Sequence, residues 1–112
     1  MAATITENRD GVLIVKFVDA ELSDEMRIRE VGDELVAYLG DSTLRQMLLD
    51  FDGVSFMSSA MLGQLAMLTK RCMTGQVSLK LCHVSETVRE VLRIVRLDTL
   101  ATIVPDEEAA FA

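Results

Sequence analysis

The sequence predicts an α/β domain in which a mixed, mostly parallel sheet of about four to five strands is covered by helices. Segments of strand length alternate with segments of helical periodicity, and this alternation is typical of parallel strands joined by right-handed crossovers. Only the first two strand segments are joined by a hairpin signal. The 112 residues have the length of one ordinary domain, so we expect a single domain over residues 1–112.

Five segments have the length and composition of strands. They are residues 4–7, 12–17, 46–51, 77–82 and, at the edge of the sheet, 102–104. The first two are joined through Asp10-Gly11, a strong hairpin signal. Residues 46–51 are apolar with little alternation, as expected for a strand that is covered on both faces.

Apolar residues at helical spacing predict three amphipathic helices and a short final one. The first begins near Ser23 or Asp24 and ends at Gly40, the second spans residues 59 to about 73 and ends at Gly75, the third begins at Ser85, and the last runs from Pro105 to Ala112. The residues expected to face the core are, in order, Ile28, Val31, Gly32, Leu35, Val36 and Leu39; Leu62, Leu65, Ala66, Thr69 and Cys72; and Val88, Val91, Leu92 and Val95.

Composition and charge exclude several function classes. The formal net charge of −7 argues against a nucleic-acid surface or a polybasic membrane anchor, because both need clustered cations. No apolar run approaches the ~20 residues that a membrane span needs, and the N-terminus lacks a secretion signal, so we expect a cytoplasmic protein without membrane insertion. Cys72 and Cys82 have no paired spacing and are interpreted as buried thiols, so no metal or other cofactor is expected.

Catalytic patterns are poorly supported. The chain has no P-loop, no dinucleotide fingerprint and no nucleophile elbow, and its one histidine, His83, is interpreted as a loop or packing residue. Asp50 and Asp52 have two interpretations. They could form a carboxylate pair for metal or acid–base chemistry, or Asp50 ends a strand and Asp52 shapes the turn, which is the interpretation we favour. We therefore expect no enzyme activity and no catalytic residues.

The most informative segment is the junction where the third predicted strand and a turn lead into the second helix. Ser58 and Ser59 stand at the tip of that helix, where unpaired backbone N–H groups and the positive end of the helix dipole would accommodate a phosphoryl group. The alternative is that the serines only cap the helix.

One further stripe on the second helix bears on partner binding. Met61, Gln64, Leu68 and Arg71 lie beside the predicted core stripe, so we expect Met61 and Leu68 to be exposed and to offer an adaptable contact to a partner protein. The alternative is that the methionines fill the core.

The segment from Leu49 to Gly63 resembles the core motif of the STAS family, which takes its name from sulfate transporters and anti-sigma factor antagonists. The matching residues are Val54, Phe56, Met57, Ser59, Leu62 and Gly63. Residues 88–92 and 97–100 also resemble the family's third helix and the segment before its final strand, so the resemblance covers nearly the whole chain. It implies a STAS-like fold.

The resemblance also implies a function. Antagonists of this family bind an anti-sigma factor that is also a serine kinase, and phosphorylation of the family's serine ends that binding. The acceptor role falls on Ser59, with Ser58 as the second choice, because Ser58 replaces the usual aspartate and Ala60-Met61 replaces the usual Ser/Thr-Gly. The alternative is a constitutive STAS scaffold or an accessory subunit of a signalling complex or transporter.

The expected partner surface surrounds this tip. Its predicted residues are Ser58, Met61, Gln64 and Leu68, with Asp24 from the acidic segment 19–24, which we expect at the same end of the sheet. Self-association stays open at this point.

Overall fold

The computed structural model describes residues 2–111 and contains a five-stranded sheet, a separate strand pair and four helices. The strands are β1 (Thr4–Arg9), β2 (Val12–Phe17), β3 (Glu21–Leu22), β4 (Gln46–Asp50), β5 (Phe56–Met57), β6 (Ser78–Cys82) and β7 (Thr102–Ile103). The helices are α1 (Glu25–Tyr38), α2 (Ser59–Thr74), α3 (Glu86–Ile94) and α4 (Glu107–Phe111), with a 3-10 turn at Leu97–Thr99.

The main sheet has the strand order β1-β2-β4-β6-β7. The β1–β2 pair is antiparallel, and the three other pairs are parallel. The hairpin turns at Asp10 and Gly11, which both have positive φ (53° and 82°), the geometry that a two-residue turn of this kind requires. The predicted mixed, mostly parallel α/β fold is confirmed.

The two faces of the sheet are covered unequally. Side chains from α1, α2 and α3 join the inner side chains of the strands in the main core, where the Phe17 and Phe51 rings lie 4.9 Å apart. On the other face a smaller cluster contains Ile14, Leu48 and Cys82, and only Ala110 of α4 among the helical residues of this part of the structure packs into it.

The sequence did not reveal how the N-terminal segment is fixed. The Glu34 carboxylate on α1 accepts hydrogen bonds from the backbone N–H groups of Ala3 (2.8 Å) and Thr4 (2.9 Å) and from the Thr4 hydroxyl. These contacts link residues about thirty positions apart, so no local sequence pattern predicts them.

Several expected details differ from the structure. Val36 and Val95 are exposed rather than buried: Val36 points away from the side of α1 on which Leu35 is buried, and Val95 follows the last residue of α3. Asp24 occupies the N-cap position of α1 without a side-chain capping bond. The expected last helix is present as α4, but its predicted end, Ala112, lies outside the described residues.

Candidate functional site: the tip of the second helix

The tip of α2 separates the two serines into different roles. Ser58 is the N-cap in extended conformation, and its Oγ accepts a hydrogen bond from the Met61 backbone N–H at 3.4 Å. Ser59 is the first helical residue and is exposed. Capping therefore occupies the Ser58 side chain and leaves the Ser59 hydroxyl facing solvent at the positive end of a sixteen-residue helix.

The acidic segment 19–24 lies against this tip. The short strands β3 and β5 pair in parallel, with Glu21 opposite Phe56. The Ser55 N–H donates to the Ala20 carbonyl (2.8 Å), and the Ser58 N–H donates to the Leu22 carbonyl (3.0 Å). The two segments that we expected at one end of the sheet are thus joined by backbone hydrogen bonds, and Asp24 is exposed beside them.

The expected exposure of Met61 and Leu68 is wrong. Met61 has 0% and Leu68 has 2% of its surface accessible, so both belong to the main core. The buried residues of α2 are Met61, Leu65, Leu68, Thr69 and Cys72. Since neither Met61 nor Leu68 reaches the surface, a partner of the folded domain would have to contact other side chains of α2.

Met61 and Leu68 are buried because α2 packs closely on α1. Gln64 is half-buried, and its side-chain amide fills the space that a Cβ at Gly32 would occupy. This contact turns the buried arc of α2 toward α1, so that Met61 and Leu68 face inward. Leu62 and Ala66, predicted for the core, are only half-buried on the opposite side of that arc.

In this orientation of α2, a groove lies between α2 and the end of α3. The groove has a volume of about 290 Å³ and is lined by Ser59, Leu62, Gly63, Ala66, Val95 and Leu97. Apart from Ser59 its lining is apolar or glycine. The Ser59 hydroxyl therefore stands in the wall of an apolar groove, a relation that the sequence did not predict because it depends on where α3 ends.

A second polar cluster lies where β4 and β6 end. Asp50 is the last residue of β4 and is 1% exposed; its Oδ1 accepts from the Asp52 backbone N–H (2.9 Å) and pairs with His83 Nδ1 (2.9 Å). Lys16 Nζ is 4.0 Å from the other carboxylate oxygen. The favoured interpretation, that Asp50 ends the strand while Asp52 shapes the turn, agrees with this geometry.

The ionisable groups of this cluster shift one another's pKa values. Burial acts to raise the pKa of Asp50, but hydrogen bonds from Glu107, the Asp52 N–H and His83 outweigh it and hold that pKa below its ordinary value. The hydrogen bond to Asp50, together with burial, raises the pKa of Glu107. The hydrogen bond to Asp50 also raises the pKa of His83, against a smaller opposing effect of burial.

Among residues 2–111, one group of three metal-ligating side chains comes together. Its members are Asp50, Cys82 and His83, with donor atoms within 4.8 Å of one another. Burial raises the pKa of the Cys82 thiol to about 12, and the carboxylate is already paired with the imidazole. Burial likewise raises the pKa of Cys72 to about 11, so both cysteines are neutral thiols near pH 7. We interpret the cluster as an ion pair that fixes the ends of β4 and β6.

The His83–Asp50 pair gives a pH dependence of stability. A histidine whose folded pKa is raised contributes stability below its ordinary pKa of 6.5, and the contribution is lost as pH rises through the raised value. We expect the free energy of unfolding of the wild type, measured in urea, to exceed that of His83→Asn at pH 5.5 and to approach it by pH 8.5. Asparagine suits the positive φ of 53° at this position.

The difference between the two proteins reports the His83–Asp50 pair, because the substitution removes the imidazole and the bond that it makes to Asp50. A gap that stays constant, or widens, between pH 5.5 and pH 8.5 would contradict the pairing.

No helix of the described chain, residues 2–111, combines the length and apolar character needed to cross a membrane. The fold and the helix tip together define a small α/β module with a solvent-facing serine at the start of its second helix.

Comparison with known families identifies this module. The STAS domain family matches residues 3–110, and the chain belongs to that family. A search of the curated proteins found no match.

Solved structures support the same fold. An anti-sigma-factor antagonist (STAS) domain protein from Planctomyces limnophilus is 25% identical, with a TM-score of 0.87 over 98% of this chain and 95% of that one. The Bacillus cell fate determinant SpoIIAA in its phosphorylated form is 18% identical, with a TM-score of 0.75 over 97% of each chain. The murine anion transporter Slc26a9 is 19% identical, with a TM-score of 0.75 over 97% of this chain but only 21% of the transporter.

Proposed function

We propose that this STAS domain is a cytoplasmic, non-enzymatic anti-sigma factor antagonist that binds an anti-sigma factor/serine kinase and releases it when Ser59 is phosphorylated. The observation that carries the proposal is the position of Ser59: exposed, first in α2, and in the wall of an apolar groove. The kinase transfers the γ-phosphoryl group of ATP to the Ser59 oxygen, which loses its proton, and ADP leaves.

A phosphate at this position leaves the fold intact. Ser59 makes no side-chain hydrogen bond with any residue of the described chain, 2–111, so esterification breaks no internal contact. The positive end of α2 stabilises an anion by about 0.3–1 kcal/mol at an exposed site. The modified domain therefore keeps its structure.

The same phosphate disrupts docking. It adds about −1.5 to −2 charges at pH 7, and a partner that covered the apolar groove would have to desolvate them. Burying an unpaired charge costs several kcal/mol, and about 4 kcal/mol already lowers affinity roughly a thousandfold. The phosphorylated protein therefore no longer holds its partner.

The two departures from the family motif are compatible with this role. Ser58 supplies the N-cap oxygen in place of the usual aspartate. Met61, in place of the usual glycine, is completely buried, so its bulk does not obstruct the approach to Ser59. For these reasons we place the modification on Ser59 rather than on Ser58.

A constitutive scaffold is the second candidate. The likeness to part of the Slc26a9 anion transporter favours it, because in that protein a fold of this kind accompanies a membrane transporter. A scaffold would bind its partner equally well whether or not Ser59 carries a charge.

Phosphosite mapping tests the proposal. The purified protein is incubated with ATP and each anti-sigma factor kinase of its own genome, and the products are digested and sequenced by mass spectrometry. We expect one phosphate, on Ser59, that Ser59→Ala removes and Ser58→Ala does not. Phosphate on Ser58 would move the acceptor by one position, and no phosphate with any kinase would favour the scaffold.

A further inference from the structure

The segment that contains α2 and α3 differs in charge from the rest of the chain. Residues 53–97 carry six Lys and Arg against two Glu, a formal charge of +4, whereas the rest of the chain carries five Lys and Arg against sixteen Asp and Glu, a formal −11. A protein that is acidic overall therefore places its net positive region on the segment that contains α2 and α3.

Five of the six cations of this region form no salt bridge within the described residues, and the sixth, Lys80 on β6, donates to the Ala110 carbonyl (2.9 Å). In the described part of the chain, the salt bridges involve Arg9, Lys16, Arg27 and His83 as the cationic partners. None involves the cations of α2, of α3 and of the short segment after α3, namely Lys70, Arg71, Arg89, Arg93 and Arg96. Their charges are available to a partner.

Arg96 is the cation that stands next in sequence to the lining of the groove. It lies between Val95 and Leu97, which both line the groove, and it is exposed in a left-handed backbone conformation (φ 62°). Arg93 is also exposed, but two residues correspond to about 200° around a helix, so Arg93 lies away from the side of Val95.

Exposed apolar surface continues beyond the groove. Ile94 is 75% and Leu100 is 51% exposed, and they flank the segment that forms one wall. On the facing wall Ser59, Leu62, Gly63 and Ala66 follow the i, i+3, i+4, i+7 spacing of one helix face. A shallow apolar channel along a helix is suited to the apolar side of another helix.

We infer that this groove binds an acidic amphipathic helix of the partner, with apolar side chains against Leu62, Ala66 and Val95 and carboxylates toward Arg96. The inference rests on the proposed function, since it describes the surface of the kinase that the Ser59 switch controls. It also adds a reason for the switch: a phosphate at Ser59 repels an acidic helix.

The first test needs no kinase. Two synthetic amphipathic peptides of about four helical turns share one leucine and alanine face and differ only in a glutamate or a lysine polar face. Each is titrated into 15N-labelled protein while amide resonances are followed by NMR. We expect the acidic peptide to shift the resonances of Gly63, Ala66 and Leu97 and to bind more weakly in high salt, and the basic peptide to shift them far less.

A matched pair of variants locates the charge effect. Arg96→Glu should weaken the acidic peptide roughly fivefold, the effect of about 1 kcal/mol at an exposed site, whereas Arg93→Glu should change it little. Equal binding of both peptides, no binding of either, or equal effects of the two variants would overturn the inference. Shifts of the same resonances with protein concentration alone would assign the groove to a second copy and would also overturn it.

The second test separates this inference from the proposed function. With the kinase that phosphorylates the protein, Arg96→Glu should weaken complex formation and Arg93→Glu should not. Loss of binding with Ser59→Asp but no effect of Arg96→Glu would overturn the acidic partner helix and would leave the phosphorylation switch at Ser59 supported. A wild type that binds no kinase would sink the proposed function, while the peptide selectivity would still decide what the groove prefers.

Discussion

Ser59→Asp is expected to raise the dissociation constant for the anti-sigma factor kinase by a little over a hundredfold, about 3 kcal/mol. The carboxylate places one negative charge in the wall of the apolar groove, where a docked partner would bury it. Isothermal titration calorimetry of the two purified proteins without ATP measures the change directly.

Ser59→Asn is the matched control. Asparagine has the size and shape of aspartate but no charge, so we expect most of the affinity to remain. Equal losses with both variants would mean that side-chain size, and not charge, interrupts docking. Unchanged binding with both would exclude a switch at this position and support a constitutive scaffold.

Stability and binding should move in opposite directions in this experiment. An acidic residue in the first turn of a helix favours the helix by about 0.3–1 kcal/mol through the helix dipole, and α2 has no acid there. Ser59→Asp should therefore unfold at a slightly higher temperature than the wild type while it binds far more weakly. A loss of stability would instead point to a folding defect as the cause of weak binding.

The order of elements was predictable because it depends on local signals. The Asp10-Gly11 turn defines the hairpin, and the apolar run of residues 46–51 identifies the central strand, whose inner residues are fully buried. Ser58 and Ser85 both accept capping bonds at the helix starts that their types predict. These features need only neighbouring residues to form.

The candidate site was only partly predictable because its geometry depends on contacts between distant residues. The serine at the helix tip follows from the local pattern, but β3 and β5 have two residues each, too few for a strand signal. The Asp50–His83 pair joins residues 33 positions apart. The groove exists only where α2 and the end of α3 are held by the rest of the fold.

The side of α2 that faces the core was predicted wrongly for Met61 and Leu68. The helix carries two adjacent apolar stripes, one through Leu62 and Ala66 and one through Met61 and Leu68, and either could face the sheet. The choice is made by Gly32 on α1, which lets Gln64 pack closely and turns the second stripe inward. The periodicity of one helix carries no information about the residues of the helix that packs against it.

Met61→Ala is expected to lower the free energy of unfolding by about 2–5 kcal/mol, the range for truncating a fully buried methionine. Met67→Ala provides the comparison on the same helix: its side chain is 46% exposed, and we expect a change of about 0.5 kcal/mol or less. Both substitutions remove the same atoms and place alanine in a helix, so helix propensity cancels between them. Urea unfolding followed by circular dichroism measures both values. Equal costs would mean that Met61 faces solvent, as the sequence pattern first indicated. The groove beside Ser59 would then have a different lining, because its walls depend on how α2 is rotated.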